Sequence, residues 1–406
     1  MAILALLTQG ACRKTNDAQA TSRWADSQVR FTVKNTESVR RSEIIEVPLA
    51  AKRRVSRVIR SDGTPVIFQV LDIDGKKTLL ALADLPPLAS EEYFVAFGDE
   101  TLADQPLNIC SGRHVPERMD DYAWENDRIA FRIYGPALGA NPKETSGSGI
   151  DVWAKRVGYP IIDKWYAHGD YHRDHGEGLD AYNVGETRGC GGSGVYIGDK
   201  MFSAKVWNTQ RTLAVGPLRV MFEVAYPPYR AGDAMVTETK RISLDRGSFF
   251  NRIQAKVQIE GADSVPFAVG IARQKNEEAP MSGPSWAATM EPEALHGRIG
   301  AAIIMKGGEL VLAGDHALLV RQAKNGETIE YFAGACWTKE GTFSGLGPWA
   351  EHTRNVALPK LKPLVVELID NGSVQNLSRV RATWLAKPHN PKGENKYERI
   401  KWTLGN

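Results

Sequence analysis

From Val29 onward, apolar and polar residues alternate in short runs: VRFTVKN, SEIIEVPLA, RRVSRVIRSDG, TPVIFQVLDIDG, KKTLLALADLPPLAS and EEYFVAFG. A period of two is the pattern of a strand with one buried face, and the Asp-Gly, Asn and Pro-Pro breaks between runs are turn signals. These runs predict a small antiparallel β-sandwich over residues 25–110. The stretch LADQPLNICSGRHVPERMD breaks the rhythm and reads as a link. Beyond it DRIAFRIYG, RVMFEVAY, SFFNRIQAKVQIEG, GRIGAAIIM, HALLVRQ, IEYFAGACW and similar runs predict a large antiparallel β-sandwich over residues 111–406. Only NVALPKLKPLVVELIDN has a helical look, and its prolines oppose it. Without helix–strand alternation a doubly wound sheet or TIM barrel is disfavoured; without a repeat of roughly 20–50 residues, so is a propeller. The chain reads as all-β.

Between Asn141 and Gly194 the strand rhythm stops. A structureless stretch this long inside a compact domain is either functional or disordered, and its content of Trp, Tyr, His, Asp and Glu argues against disorder. Three of the chain's eight histidines, His168, His172 and His175, fall here within eight residues, interleaved with Asp170, Asp174, Glu177 and Asp180. Lys164, Trp165, Tyr166, Tyr171, Arg173, Tyr182, Asn183, Glu186 and Arg188 surround them.

Such a loop suits general acid/base chemistry. Imidazole takes and gives protons near neutral pH, and a neighbouring carboxylate fixes its tautomer. Cationic side chains that neutralise a substrate carboxylate stabilise the enolate-like transition state of proton abstraction beside it. His, Tyr and Arg together are what β-elimination on a uronic acid requires. In that reading His172 or His175 is the base, Tyr171 or Tyr182 the acid, and Arg188 with Lys164 the carboxylate clamp. Alternatively, His168, Asp170, His172 and His175 could hold a divalent cation, although their spacing matches no H-E-x-x-H pattern; no other cofactor motif is present. The blandest alternative is a loop pinned by His–carboxylate hydrogen bonds. The tail GCGGSG lacks the Lys-Ser/Thr of a phosphate cradle and reads as tight turns, with Cys190 buried.

Other candidates are spread along the strands. In YAWENDRIAFRIYG, Trp124, Glu125, Asn126 and Arg132 are candidate sugar contacts, with Ala130 and Arg132 on one strand face and Ile129, Phe131 and Ile133 on the other. Lys155 and Arg156 follow the apolar run of GIDVWAKR. With Lys164, Trp165, Tyr166, Glu177 and Asp180 they complete the candidate substrate-binding set. Glu223, flanked by apolar residues in RVMFEVAY, is either an acid/base group or a salt-bridge partner. Hydrolysis through two carboxylates, Glu177 or Asp180 with Glu223, is the second enzymatic reading, and an epimerase the third. Trp337, Trp349 and His352 could form an aromatic platform for a sugar ring, or simply core.

Composition narrows the partners. Lys plus Arg is 51 and Asp plus Glu 48, a net charge of +3 in 406 residues, which gives no basic footprint for nucleic acid. Apolar residues at 42% and charged residues at 24% are those of a globular chain, and no run is long enough for an α-helical membrane span. The four cysteines contain no C-x-x-C pair. The opening MAILALLTQGAC resembles the end of a bacterial export signal with Cys12 as the lipidated residue, although no Lys or Arg precedes the apolar run and Gln9 replaces an aliphatic residue. Residues 1–24 therefore read as signal and tether, which implies a periplasmic or cell-surface protein, either enzyme or lipid-anchored carbohydrate-binding protein.

The strings ERMDDYAWENDRIAFRIYGPAL, GIDVWAKR, YPIIDKWY, YHRDHGEGLDAYNVGETRGCGG and GPLRVMFEVAY resemble a bacterial family of unknown-function domains found near genes that degrade pectin and other uronate-rich polymers. The resemblance covers nearly the whole chain after the tether. It implies a fold similar to galactose mutarotases, a β-supersandwich, and a uronate-containing oligosaccharide as partner. A mutarotase pairs a His acid with a Glu base, for which His172 or His175 with Glu223 would stand.

Overall fold

The structure is a computed structural model that describes residues 29–49, 54–98, 108–142, 147–370 and 373–376. Cys12 and the expected signal lie outside the described residues. Among those described, no helix is long and apolar enough to cross a membrane.

The first unit is a small sandwich. In Val29–Lys34, Phe31 and Val33 point to one side and are fully buried. They meet Val47, Leu79 and Ala81 from the facing three-stranded sheet, Arg41–Leu49, Lys76–Leu85 and Phe68–Ile73. The strand Val365–Asp370, placed by the sequence reading in the second unit, pairs with Val29–Lys34 along its whole length and brings Ser373–Asn376 with it. Its Val366 and Leu368 complete the first core. An open edge beside Val29–Lys34 would leave backbone groups unpaired, and Val365–Asp370 closes it.

The second unit stacks three antiparallel sheets around one core. The large sheet runs from Thr209–Ala214 through Arg219–Ala225, Ala234–Asp245, Phe250–Glu260, Thr328–Trp337, Ile299–Met305 and Trp286–Met290 to Met281–Gly283. Facing it are a second sheet built on Cys190–Ile197, Ser264–Ala272 and His316–Lys324, and an outer sheet of Ser111–Val115, Asp121–Glu125, Ala130–Ile133, Asp151–Lys155 and Gly178–Asp180. Two expectations are corrected here. GIDVWAKR is not loop but a central strand of the outer sheet, and GCGGSG is a buried strand rather than a set of turns. Gly191 has φ +99°, and a Cβ there would stand 2.2 Å from the Ala333 Cβ, so this strand crosses the large sheet only because the side chain is missing. Trp337 and Trp349 are core residues, Trp349 on the short helix Leu346–His352.

The small sandwich sits on the free face of the large sheet. Ile44, Leu71, Ile73 and Leu80 pack on Leu218 and Met221. The Gln69 side-chain oxygen accepts the backbone N–H groups of Leu218 and Arg219, and Arg219 reaches Glu46 at 2.6 Å.

Candidate active site

Alternation along the outer sheet decides what reaches the site. Tyr122, Trp124, Phe131, Ile133, Val152 and Ala154 point inward to the core, so Asp121, Glu125, Arg132, Asp151 and Lys155 point outward. All five are nonetheless buried, because residues 156–180 fold back over that face. Ile161, Ile162 and Trp165 pack on Ala123, Ala130 and Trp153, with Tyr166 and Tyr171 beside them. Trp153 is sandwiched between Trp165 at 5.4 Å and Tyr171 at 4.9 Å.

Two buried ionic clusters fasten this cover. Glu125 accepts hydrogen bonds from Lys155 at 2.7 Å and from the backbone N–H groups of Ile161 and Ile162, which begin the helix Ile162–His168. Lys155 also donates to the backbone oxygens of Asn126 and Tyr159. In the second cluster Arg132 binds Asp151 at 2.5 Å and Asp180 at 2.9 Å, with Asp121 at 3.7 Å. Asp180 arrives there because Gly178 takes φ +136°, where a Cβ would collide with the Ala154 oxygen at 2.0 Å.

Three buried carboxylates around one guanidinium cannot all ionise cheaply. Burial pushes Asp121 up to about 7, with Arg132 and Arg118 opposing. Burial, reinforced by the Asp151 charge, holds Asp180 well above the usual carboxylate range. The cluster therefore retains a proton near neutral pH. Tyr166 donates towards Asp121 at 3.4 Å, and the second Asp121 oxygen and Nη1 of both Arg118 and Arg132 are buried without a hydrogen-bond partner among the described residues.

Beside this cluster three groups touch, Arg118 and Tyr171 half-buried and His172 exposed. Arg118 Nε donates to the Tyr171 phenol oxygen at 3.3 Å. Tyr171 lies against the His172 ring at 4.7 Å. His172 Nδ1 stands 3.0 Å from the Asp180 backbone oxygen. A carbonyl oxygen only accepts, so Nδ1 carries the hydrogen and Nε2 of the neutral ring keeps a lone pair. The ring itself is 67% exposed.

The remaining expected site residues do not join this group. His175 turns to the Asp170 backbone oxygen, with His168 4.7 Å from its ring. Among the described residues no group of three His, Cys, Asp or Glu could hold a metal, so His168, Asp170, His172 and His175 do not converge as cation ligands. Glu177 is held by Tyr159, Lys164 and Trp165. The exposed Lys164, expected in the clamp, forms its ion pair with that carboxylate. Arg188, the other expected clamp, is buried against Ser148, Ser203 and the Glu186 oxygen. Tyr182 is buried and Trp124 donates to Asn251 inside the core. Asn126 ties the neighbouring turn to the Asp245 and Ser248 oxygens. Arg156 pairs with Asp174 and covers the Trp337 ring at 4.5 Å. Glu223 is bound by Arg211 and Arg241 on the large sheet, and Arg211 also holds Asp74. Glu223 and Glu177 share no partner.

Arg118, Asp121, Trp153 and Asp151 were not singled out from sequence. A signal was present: DYAWE and DVWAK each carry charges at their first and fifth positions, which share the outward face of the two strands flanking Ala130–Ile133.

The β-rich fold has counterparts among solved structures. It is similar to a glycosyl hydrolase family 38 protein from Enterococcus faecalis, with a TM-score of 0.54 and 11% identity over 89% of this chain and 50% of the other. It is also similar to an α-mannosidase from Enterococcus faecalis V583, with a TM-score of 0.51 and 10% identity over 88% and 48%. The chain spans about half the length of those proteins, and likeness at that identity is likeness of fold. In sequence, the chain belongs to the family described as Domain of unknown function (DUF4861), matched over residues 33–366. Uncharacterized protein P7 of Formosa agariphila is 30% identical over 374 residues, 84% of this chain and 94% of that protein.

Proposed function

We propose that the protein is a carbohydrate-active enzyme that acts on uronate-containing oligosaccharides by β-elimination, as a lyase or dehydratase. The observation that carries this reading is the contact of half-buried Arg118 and Tyr171 with exposed His172, which puts a cation, a phenol proton and a lone pair side by side. His172 Nε2 takes the proton from the carbon beside the substrate carboxylate. Arg118 stabilises the charge that collects on that carboxylate. Tyr171 gives its proton to the leaving oxygen as the carbon–oxygen bond breaks and the carbon–carbon double bond forms. Because the phenol oxygen already accepts from Arg118, its own hydrogen is free to be given. The proton taken by His172 then passes to solvent, and solvent returns one to Tyr171. Trp153 and the Arg132 cluster hold these groups in place.

The names of the fold neighbours support glycoside hydrolysis as a second reading, although Glu177 and Glu223 are each held by cationic side chains and Asp180 is buried on Arg132. Incubation with pectin, ulvan and alginate fragments separates the two. Elimination makes a conjugated double bond with ultraviolet absorbance; hydrolysis releases reducing ends and adds water without it. On its first residues the protein is read as exported to the periplasm or cell surface, with Cys12 lipidated.

A further inference from the structure

At the seam between the small sandwich and the large sheet lies a pocket of about 190 Å³. An apolar cavity of roughly 150 Å³ accommodates benzene, so there is room for one six-membered ring. Ser42, Glu43 and Leu82 line it from the small sandwich, and exposed Gly247 and Val356 flank its mouth.

One wall is aromatic. Phe249 and Phe250 are buried, with the His352 ring edge-on to Phe249 at 5.8 Å and stacked on Phe250 at 6.2 Å. Burial, helped by Lys360, lowers His352 to about 4, so this ring is neutral at pH 7. The floor is ionic but already compensated. Arg219 holds both oxygens of Asp245, and Arg252 pairs with Glu330 at 2.6 Å and Glu46 at 3.3 Å.

Arg246 is different. Its backbone is fixed by a bond to the Leu218 oxygen, and its Nη1 is buried without a hydrogen-bond partner among the described residues. No carboxylate forms an ion pair with it there. The turn that carries it is held rigid from outside: Asn126 binds the Asp245 and Ser248 oxygens, and Asp127 accepts the Gly247 N–H at 2.7 Å. An uncompensated guanidinium on a fixed turn, facing a ring-sized space with an aromatic wall and serine hydroxyls, is an anion-recognition arrangement.

We propose that this seam pocket is a second ligand site, which takes a single sugar ring bearing a carboxylate and seats that carboxylate on Arg246. The site stands apart from the Arg118–Tyr171–His172 group and does not depend on the elimination reading. It would hold an acidic residue of a longer chain, or a free sugar acid, while both domains keep their places.

Calorimetric titration of the full chain tests it, in an Arg118→Gln background that silences the outer patch. The probes are glucuronate, glucose and inorganic sulfate. Glucuronate is expected to bind at one site per chain and glucose about tenfold or more weakly, since one charge-assisted contact is lost. Arg246→Gln should weaken glucuronate by a similar factor, and Arg246→Lys should restore part of it. Phe249→Leu should weaken glucuronate but not sulfate, which separates recognition of the ring from recognition of the anion. Sulfate binding as tight as glucuronate, equal binding of glucose, absence of binding, or an Arg246→Gln protein that melts normally and binds as before would each overturn the site. Elimination activity measured separately, in the protein with Arg118 intact, tells loss of this site from loss of the outer one.

Discussion

Arg118 and Tyr171, 53 positions apart in the chain, meet through a hydrogen bond of 3.3 Å from the guanidinium to the phenol oxygen. The contact exists because residues 156–180 fold back over the outer sheet, and it joins a cation to a proton donor. Tyr171→Phe should keep the stack on Trp153 and lower kcat by roughly 10²–10³-fold with little change in KM. Arg118→Gln should lower kcat/KM by a comparable factor. Steady-state kinetics on an unsaturated-product assay reads both, and a Tyr171→Phe enzyme with full kcat would remove the phenol from the mechanism.

The three histidines of the cover differ in consequence. His172 alone adjoins Tyr171 and Asp180, so His172→Ala should cost roughly 10²–10⁴-fold in rate. Its exposure means the melting temperature should hardly move. His168→Ala and His175→Ala should leave the rate nearly intact. Equal losses from all three would mean that the base has been misassigned.

Arg132 is the hub of the buried cluster. Arg132→Met strands Asp121, Asp151 and Asp180 without their main cation, and should cost about 3–5 kcal/mol. Urea unfolding measures this directly. A loss well under about 1 kcal/mol would mean that the carboxylates are hydrated and the cover is open.

Asp121 gives the protein a pH dependence of definite sign. Burial raises its carboxyl from 3.8 to about 7, so the folded state binds that proton more tightly than the unfolded chain. Its contribution to stability is fully present below the unfolded value, falls as pH rises towards 7, and is lost above it. Asp121→Asn keeps the neutral form throughout. The variant should gain stability on the wild type between about pH 5 and pH 8. Glu291, raised to about 7 by burial, leaves a residual slope of the same sign. Parallel urea midpoints for variant and wild type across that range would contradict the buried placement of Asp121.

Strand alternation carried most of the fold, because a half-buried strand advertises its faces. Ala130 and Arg132 do lie opposite Phe131 and Ile133. The return of Val365–Asp370 to the first sheet was not readable, since the pairing of distant strands leaves no local pattern. For the site, the structure gathers Tyr171 and His172 of the histidine-rich loop beside Arg118 and disperses several of the other expected side chains. Lys164 and Glu223 are ion-paired, with Glu177 and with Arg211 and Arg241, and Arg188 is buried on the hydroxyls of Ser148 and Ser203 and the Glu186 oxygen. Arg118 lies on a single 3₁₀ turn with no motif around it, and its proposed role rests on the fold bringing Tyr171 to it.

Ultraviolet absorbance of a uronate oligosaccharide digest tests the central claim most directly. The wild-type protein should generate a conjugated unsaturated product, and the His172→Ala, Tyr171→Phe double variant should generate none while remaining folded. Cleavage or turnover with no new absorbance in the wild type, or absorbance that persists undiminished in the double variant, would contradict it.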